Sequence, residues 1–104
     1  MRGDAAFRRV RARGRAGRHP LLTLRWLPGR TQAVTVGIVA SKKVGNAVTR
    51  NRVRRRVREA VRRQDWPACE VMLVMTPESA RASYQQLLVA LNLAAAKSGL
   101  RQAR

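Results

Sequence analysis

The chain has 104 residues, of which 23 are Lys or Arg and only 5 are Asp or Glu, giving a formal net charge of +18 at pH 7. That length allows one domain with one modest core, an apolar content of 45% excludes wholesale disorder, and the imbalance of sign points to a polyanionic partner. No apolar run approaches the roughly 18 residues of a membrane span, and a single Cys with a single His closes off disulfides, Cys-cluster zinc and Cys/His catalysis, so a cytoplasmic protein without membrane association is expected.

In chain order, 4–13 predicts a first helix with Asp4 as its N-cap and Ala6, Phe7 and Val10 as a thin apolar stripe, stopped by Gly14. Arg15 to Pro20 reads as a basic turn around the lone His19, a loop residue placed to touch phosphate. Strands are expected within 21–44. Leu21 to Leu27 alternates, and Ala33 to Ala40 is rich in β-branched residues; the short Pro28-Gly29 link suggests that the two form an antiparallel hairpin. Ser41 to Val44 extends the second strand or bends away from it, and Gly45-Asn46 supplies a turn and a cap.

A long helix follows over 47–63, with Val53, Val57, Ala60 and Val61 on one side and Asn51, Arg52, Arg55, Arg58, Glu59 and Arg62 on the other. Trp66-Pro67 ends it. The nearly continuous apolar run 70–76 predicts a strand covered on both faces near the middle of a sheet. A last helix over 83–98 carries Tyr84, Leu87, Leu88, Leu91, Ala94 and Ala95 at helical spacing, capped by Ser79 or Ser83 and ended by Gly99. Cys69 is expected to be a small buried residue. The sum is one α+β domain over 1–104, a small two-layer sandwich of three or four strands with helices against them.

Charge is not spread evenly along this plan. The long helix holds Arg50, Arg52, Arg54, Arg55, Arg56, Arg58, Arg62 and Arg63 against one acid, Glu59. Like charges at i,i+4, such as Arg54 with Arg58, destabilise an isolated helix by about 0.2 to 0.5 kcal/mol each, and phosphates held by guanidinium forks offset that. Lys42, Lys43 and Arg50 flank the helix start, where free backbone N–H groups favour an anion. Aromatic content is 4%, so stacking of successive bases can rest on one or two rings, with Phe7 the best placed. The acids Asp4, Glu59, Asp65, Glu70 and Glu78 are dispersed, so neither a protein metal site nor protein catalytic residues are expected. On these grounds alone, a dedicated RNA-binding subunit, a general RNA chaperone or ribosomal protein, and a DNA-binding module with the Arg helix in a groove all remain open.

The run from Ser41 to Glu59, containing the Arg50-Asn51-Arg52 signature, resembles the protein subunit of bacterial ribonuclease P. Phe7, Val10 and Gly14 resemble that family's first-helix pattern, Val36 to Val39 its central strand and Glu70 to Met75 its last strand. The resemblance implies a ribosomal-protein-like sandwich of order α-β-β-(β)-α-β-α, in which an unusual left-handed β-α-β crossover carries the long helix. It implies a protein that joins a catalytic RNA and helps remove the 5′ leader of precursor tRNA, an endoribonuclease reaction using magnesium held mainly by the RNA. No stable protein partner is implied. Carried over by position, Lys42, Lys43, Asn46, Arg50, Asn51, Arg52, Arg54, Arg55, Arg58 and Arg62 are the RNA-facing residues, and Phe7 with Arg11 belongs to a cleft for the leader. Arg11 stands where the family usually has a second cleft aromatic, and Leu24 about where a strand aromatic is common, so leader binding is expected to be more electrostatic in this chain.

Overall fold

The computed structural model describes the backbone of residues 3–29 and 32–103 and, within these, the side chains from Ala5 onward. The capping role expected of Asp4 lies outside the described residues. Helix α1 (Gly3–Arg13) leads into strands β1 (Arg15–Arg18), β2 (Leu22–Pro28) and β3 (Val34–Val39). Helix α2 (Ala47–Arg62), strand β4 (Cys69–Met75), a 3-10 helix (Pro77–Arg81) and helix α3 (Tyr84–Lys97) complete the order. The four strands form one mixed sheet in the order β1-β2-β4-β3.

β4 takes an inner position beside β2 and is apolar enough to be covered on both sides: Val71, Met72, Leu73 and Met75 are all buried. It pairs antiparallel with β2 and parallel with β3, so β3-α2-β4 is a β-α-β unit. This corrects the expected hairpin between the second and third strands, which are not neighbours. Two strand spacings amount to about 10 Å, and the five residues between Pro28 and Val34 can reach about 18 Å when extended. A short link therefore steps over one strand as readily as it turns between two. Gly29 N–H donates to the Ala68 carbonyl just before β4 begins, which fixes one end of that step.

The basic turn expected over Arg15 to Pro20 is likewise corrected: Arg15–Arg18 is an edge strand, paired in register from Arg15 opposite Trp26 to Arg18 opposite Thr23. Tertiary packing overrides weak local propensity there. At Gly17, a Cβ atom would overlap the Ala94 carbonyl, so only glycine lets α3 lie directly on β1. Ser41 to Val44 bends away from β3, with Val44 N–H donating to the Ser41 carbonyl and Gly45 N–H to that of Lys42.

Alternation then assigns the faces. Leu22, Leu24 and Trp26 of β2, Cys69, Val71, Leu73 and Met75 of β4, and Val36 and Ile38 of β3 face α2 and α3 and form the main core. From the helices, Val53, Val57 and Ala60 of α2 and Leu87, Ala90, Leu91, Ala94 and Ala95 of α3 close it. Ser83, not Ser79, caps α3: its side chain accepts from Gln86 N–H, while the Gln86 side chain accepts from Ser83 N–H, a reciprocal capping box. Ser79 is buried within the 3-10 helix. After α3, Gly99 takes φ +82, the left-handed conformation that ends helices. On the other face, α1 covers part of β2 and β4, burying Val10 and Met72.

Candidate nucleic-acid interface

α2 starts where the sequence predicts: Asn46 Oδ1 accepts from Thr49 N–H at 2.9 Å. This cap occupies the Asn46 acceptor, leaving its amide NH2 for any outside ligand. Lys42 and Lys43 are exposed in the turn just before it. Along the helix the arginines divide into two sets that the helical wheel had merged. Asn51, Arg55, Arg58 and Arg62 are exposed on one face, at spacings that stack them into a stripe about 16 Å long.

Arg50, Arg52 and Arg54 are half-buried on the flanks. Arg52 Nη2 donates to the Ala80 carbonyl at 3.4 Å, and Arg56 Nη1 to the Ala82 carbonyl at 2.7 Å, so the two tie α2 to the 3-10 helix and to the residue that follows it. Arg54 reaches the Ala40 carbonyl at 3.4 Å and Asn51 Oδ1 at 3.3 Å. The placement of Arg52 squarely with the solvent-facing residues is therefore corrected: its stem lies against the fold and its guanidinium has a structural contact. Buried Nε–H groups of Arg50 and Arg52 lack protein acceptors, a local cost of about 1 to 3 kcal/mol each. Glu59 is engaged by Arg62 at 2.6 Å with both side chains well exposed. Such a surface pair is worth little, so Glu59 barely offsets the field of the stripe.

A second basic surface lies on the opposite side of the sheet. α1 is held down by Arg9, which donates to both carboxylate oxygens of Glu70 at 2.5 and 3.2 Å. The hydrogen bond to Glu70 raises the Arg9 pKa above its ordinary value. Beside this clasp run two contiguous hollows of about 370 and 340 Å³ that share Arg11. Phe7, Arg8 and Val39 line one; Arg18, Thr23, Arg25 and Val74 line the other. The structure thus brings Phe7 and Arg11 together, with Phe7 half-buried and Arg11 exposed. Four guanidinium groups surround an open strip of sheet whose acid, Glu70, is already taken.

Leu24 does not belong to this groove. It is fully buried in the core on the other face, and its neighbours Thr23 and Arg25 hold the groove positions instead. Arg8, Arg18 and Arg25 were not singled out from the sequence. The signal was present in the period-2 alternation of β2, which puts Thr23 and Arg25 opposite in sense to Leu22 and Leu24.

The remaining polar candidates have structural settings. Burial pushes the Cys69 thiol up to about 11, so it is protonated and unreactive at neutral pH. His19 Nδ1 accepts from Leu21 N–H at 3.0 Å and shapes the loop between β1 and β2. Trp26 Nε1 donates to the Ser98 carbonyl at 3.0 Å, and Arg15 lies 5.9 Å from its ring centre. Among the described residues no three His, Cys, Asp or Glu side chains gather. No helix among them is long and apolar enough to cross a membrane.

In sequence and in fold the chain is similar to known proteins. The family model described as Ribonuclease P matches residues 1–98. The ribonuclease P protein component of Thermus oshimai is 50% identical over 102 residues, covering 98% of this chain and 66% of that protein. That of Thermus scotoductus is 46% identical over 102 residues, covering 98% of this chain and 61% of its own length. The chain therefore spans somewhat under two thirds of these relatives. In fold, a solved Staphylococcus aureus RNase P protein, a mutant with defective mRNA degradation activity, superposes with a TM-score of 0.87 at 21% identity, covering 97% of this chain and 88% of that one. By the span of the family match and the identity to these relatives, the chain belongs to the ribonuclease P protein family.

Proposed function

We propose that the chain serves as the protein subunit of a bacterial ribonuclease P, binding the catalytic RNA and the 5′ leader of precursor tRNA and so supporting endonucleolytic release of the mature 5′ end. The observation that carries this reading is the separation of two basic surfaces by one sheet. The α2 stripe of Arg55, Arg58 and Arg62 is convex, exposed and almost of one sign, suited to the phosphates of a folded RNA. The groove beside α1 is concave, walled by one ring and four guanidinium groups, suited to a single strand held with little sequence preference.

In this reading the bond-breaking step belongs to the RNA, and the magnesium ions that serve it are held by RNA phosphates. The protein contributes by positioning: it neutralises phosphate repulsion where the folded RNA approaches α2 and holds the leader away from that contact. The place of work is the cytoplasm, where precursor tRNA is made.

The test is to add the protein to a bacterial ribonuclease P RNA and follow precursor-tRNA cleavage at low magnesium, where the RNA alone is expected to work poorly. Strong stimulation with correct 5′ ends is expected. Tight binding to many unrelated structured RNAs with no stimulation would replace this reading with that of a general RNA chaperone.

A further inference from the structure

Beyond the two basic surfaces, a third concavity of about 770 Å³ opens at the C-terminal end of α2, between that helix, α3 and residues 100–102. Its floor is apolar: Leu88, Ala95, Ala96 and Leu100. Its rim carries the guanidinium groups of Arg63 and Arg101, both exposed and neither with a protein acceptor among the described residues. The rim is also built rather than loose. Gln102 Nε2 donates to Gln64 Oε1 at 2.7 Å, Gln102 Oε1 accepts from Asp65 N–H, and Leu100 N–H donates to the Ala95 carbonyl at 2.9 Å.

With Gln64 and Gln102 satisfied by each other and by the backbone, the side-chain amide left for a ligand is that of Asn92, exposed at the mouth. An amide offers a donor and an acceptor side by side, the pattern that base edges present. The apolar floor covers a planar ring, and a guanidinium can bind phosphate or stack on a base. Arg63 also follows Arg62, the last member of the exposed α2 stripe, so a strand whose phosphates track that stripe arrives at this hollow.

From this juxtaposition we propose that the hollow is a binding site for one unpaired nucleotide of an RNA strand lying along α2, with its base on the Leu88/Ala95/Ala96 floor against Asn92 and its phosphate between Arg63 and Arg101. The proposal rests on the reading of the chain as an RNA-binding subunit and adds a specific contact to it.

The experiment is an amide NMR titration of the whole chain with adenosine 5′-monophosphate, inorganic phosphate and a five-nucleotide single-stranded RNA in separate arms. The monophosphate is expected to shift the Asn92 side-chain amide and the backbone amides of Ala95, Ala96 and Arg101. Inorganic phosphate should leave Asn92 unmoved. The pentanucleotide is expected to produce the same shifts at about tenfold lower concentration, because its other phosphates engage the stripe. Asn92→Ala and Arg101→Ala, both at exposed positions, should each weaken pentanucleotide binding about threefold or more.

An unmoved Asn92 amide, or identical shifts from phosphate alone, overturns the site. Equal affinity for the mononucleotide and the pentanucleotide overturns the RNA assignment in favour of a free nucleotide. Cleavage stimulation by the unmodified protein is read separately, so loss of this site and loss of the subunit reading give different results.

Discussion

On β2, Leu22 and Leu24 point into a sealed core while Thr23 and Arg25, one position along, floor an open basic groove. The two faces of the sheet are made by the same strands, yet one is covered by two helices and the other only partly by α1. The difference comes from alternation acting on a chain with +18 charge: once the core face has taken the apolar positions, guanidinium groups collect wherever the cover is incomplete. The covered face specifies the fold, and the uncovered face together with the outer side of α2 is free to meet phosphate.

The largest expected effect breaks the covered face. Leu73 lies at the centre of β4 and is fully buried, so Leu73→Ala should cost about 2 to 5 kcal/mol in chemical denaturation. An equivalent truncation on the groove face, Val74→Ala, should cost clearly less because that side chain is only half-buried.

Next is a pH dependence confined to the core. The Cys69 thiol is held protonated up to about pH 11, against an ordinary value of 9.0. The folded state therefore binds the proton more tightly than the unfolded one, and the associated stability is complete below pH 9 and lost as pH rises towards 11. The loss should be on the order of 2 kcal/mol and absent from Cys69→Ala, as read from denaturation midpoints at pH 8 and 11.

A smaller effect separates the two sets of α2 arginines. Arg55→Ala should weaken association with ribonuclease P RNA by about 1.5 kcal/mol while leaving thermal stability nearly unchanged. Arg52→Ala should lower stability as well, since Arg52 also bonds the Ala80 carbonyl. Equal stability losses in the two variants would erase the distinction. The smallest effect concerns the groove: Phe7→Ala should weaken binding of a single-stranded leader by about 1 kcal/mol, with association to the RNA subunit unaffected.

Much of this was legible in the sequence, and the failures have identifiable causes. α2 and its Asn46 cap were readable because the 3.6-residue period of Val53, Val57 and Ala60 sits directly behind a capping residue. The middle position of β4 followed from its unbroken apolar run. Strand β1 was hidden because Gly17, which reads locally as a turn, is required by the approach of Ala94 from 77 residues further along the chain. The strand order was hidden for a similar reason, since link length sets how far a connection reaches but not which strand will later be inserted beneath it.

At the interface, the stripe of Arg55, Arg58 and Arg62 was visible as periodicity. The buried acceptors that draw Arg52, Arg54 and Arg56 inward, the carbonyls of Ala80, Ala40 and Ala82, come from other elements and leave no trace in the helix itself. The groove was half-seen: Phe7 and Arg11 came from α1, whereas Arg18 and Arg25 are added by pairing β1 with β2.

The most direct test of two separate RNA surfaces measures the affinity of the assembled holoenzyme for precursor tRNA with and without its leader, in an Arg55→Ala/Arg58→Ala protein and in a Phe7→Ala/Arg11→Ala protein. The α2 variant should need more protein to assemble but, once assembled, keep the full affinity difference between the two substrates. The groove variant should assemble normally and lose most of that difference. If both variants impaired assembly and leader discrimination alike, the two surfaces would be one site, and the division drawn by the sheet would be wrong.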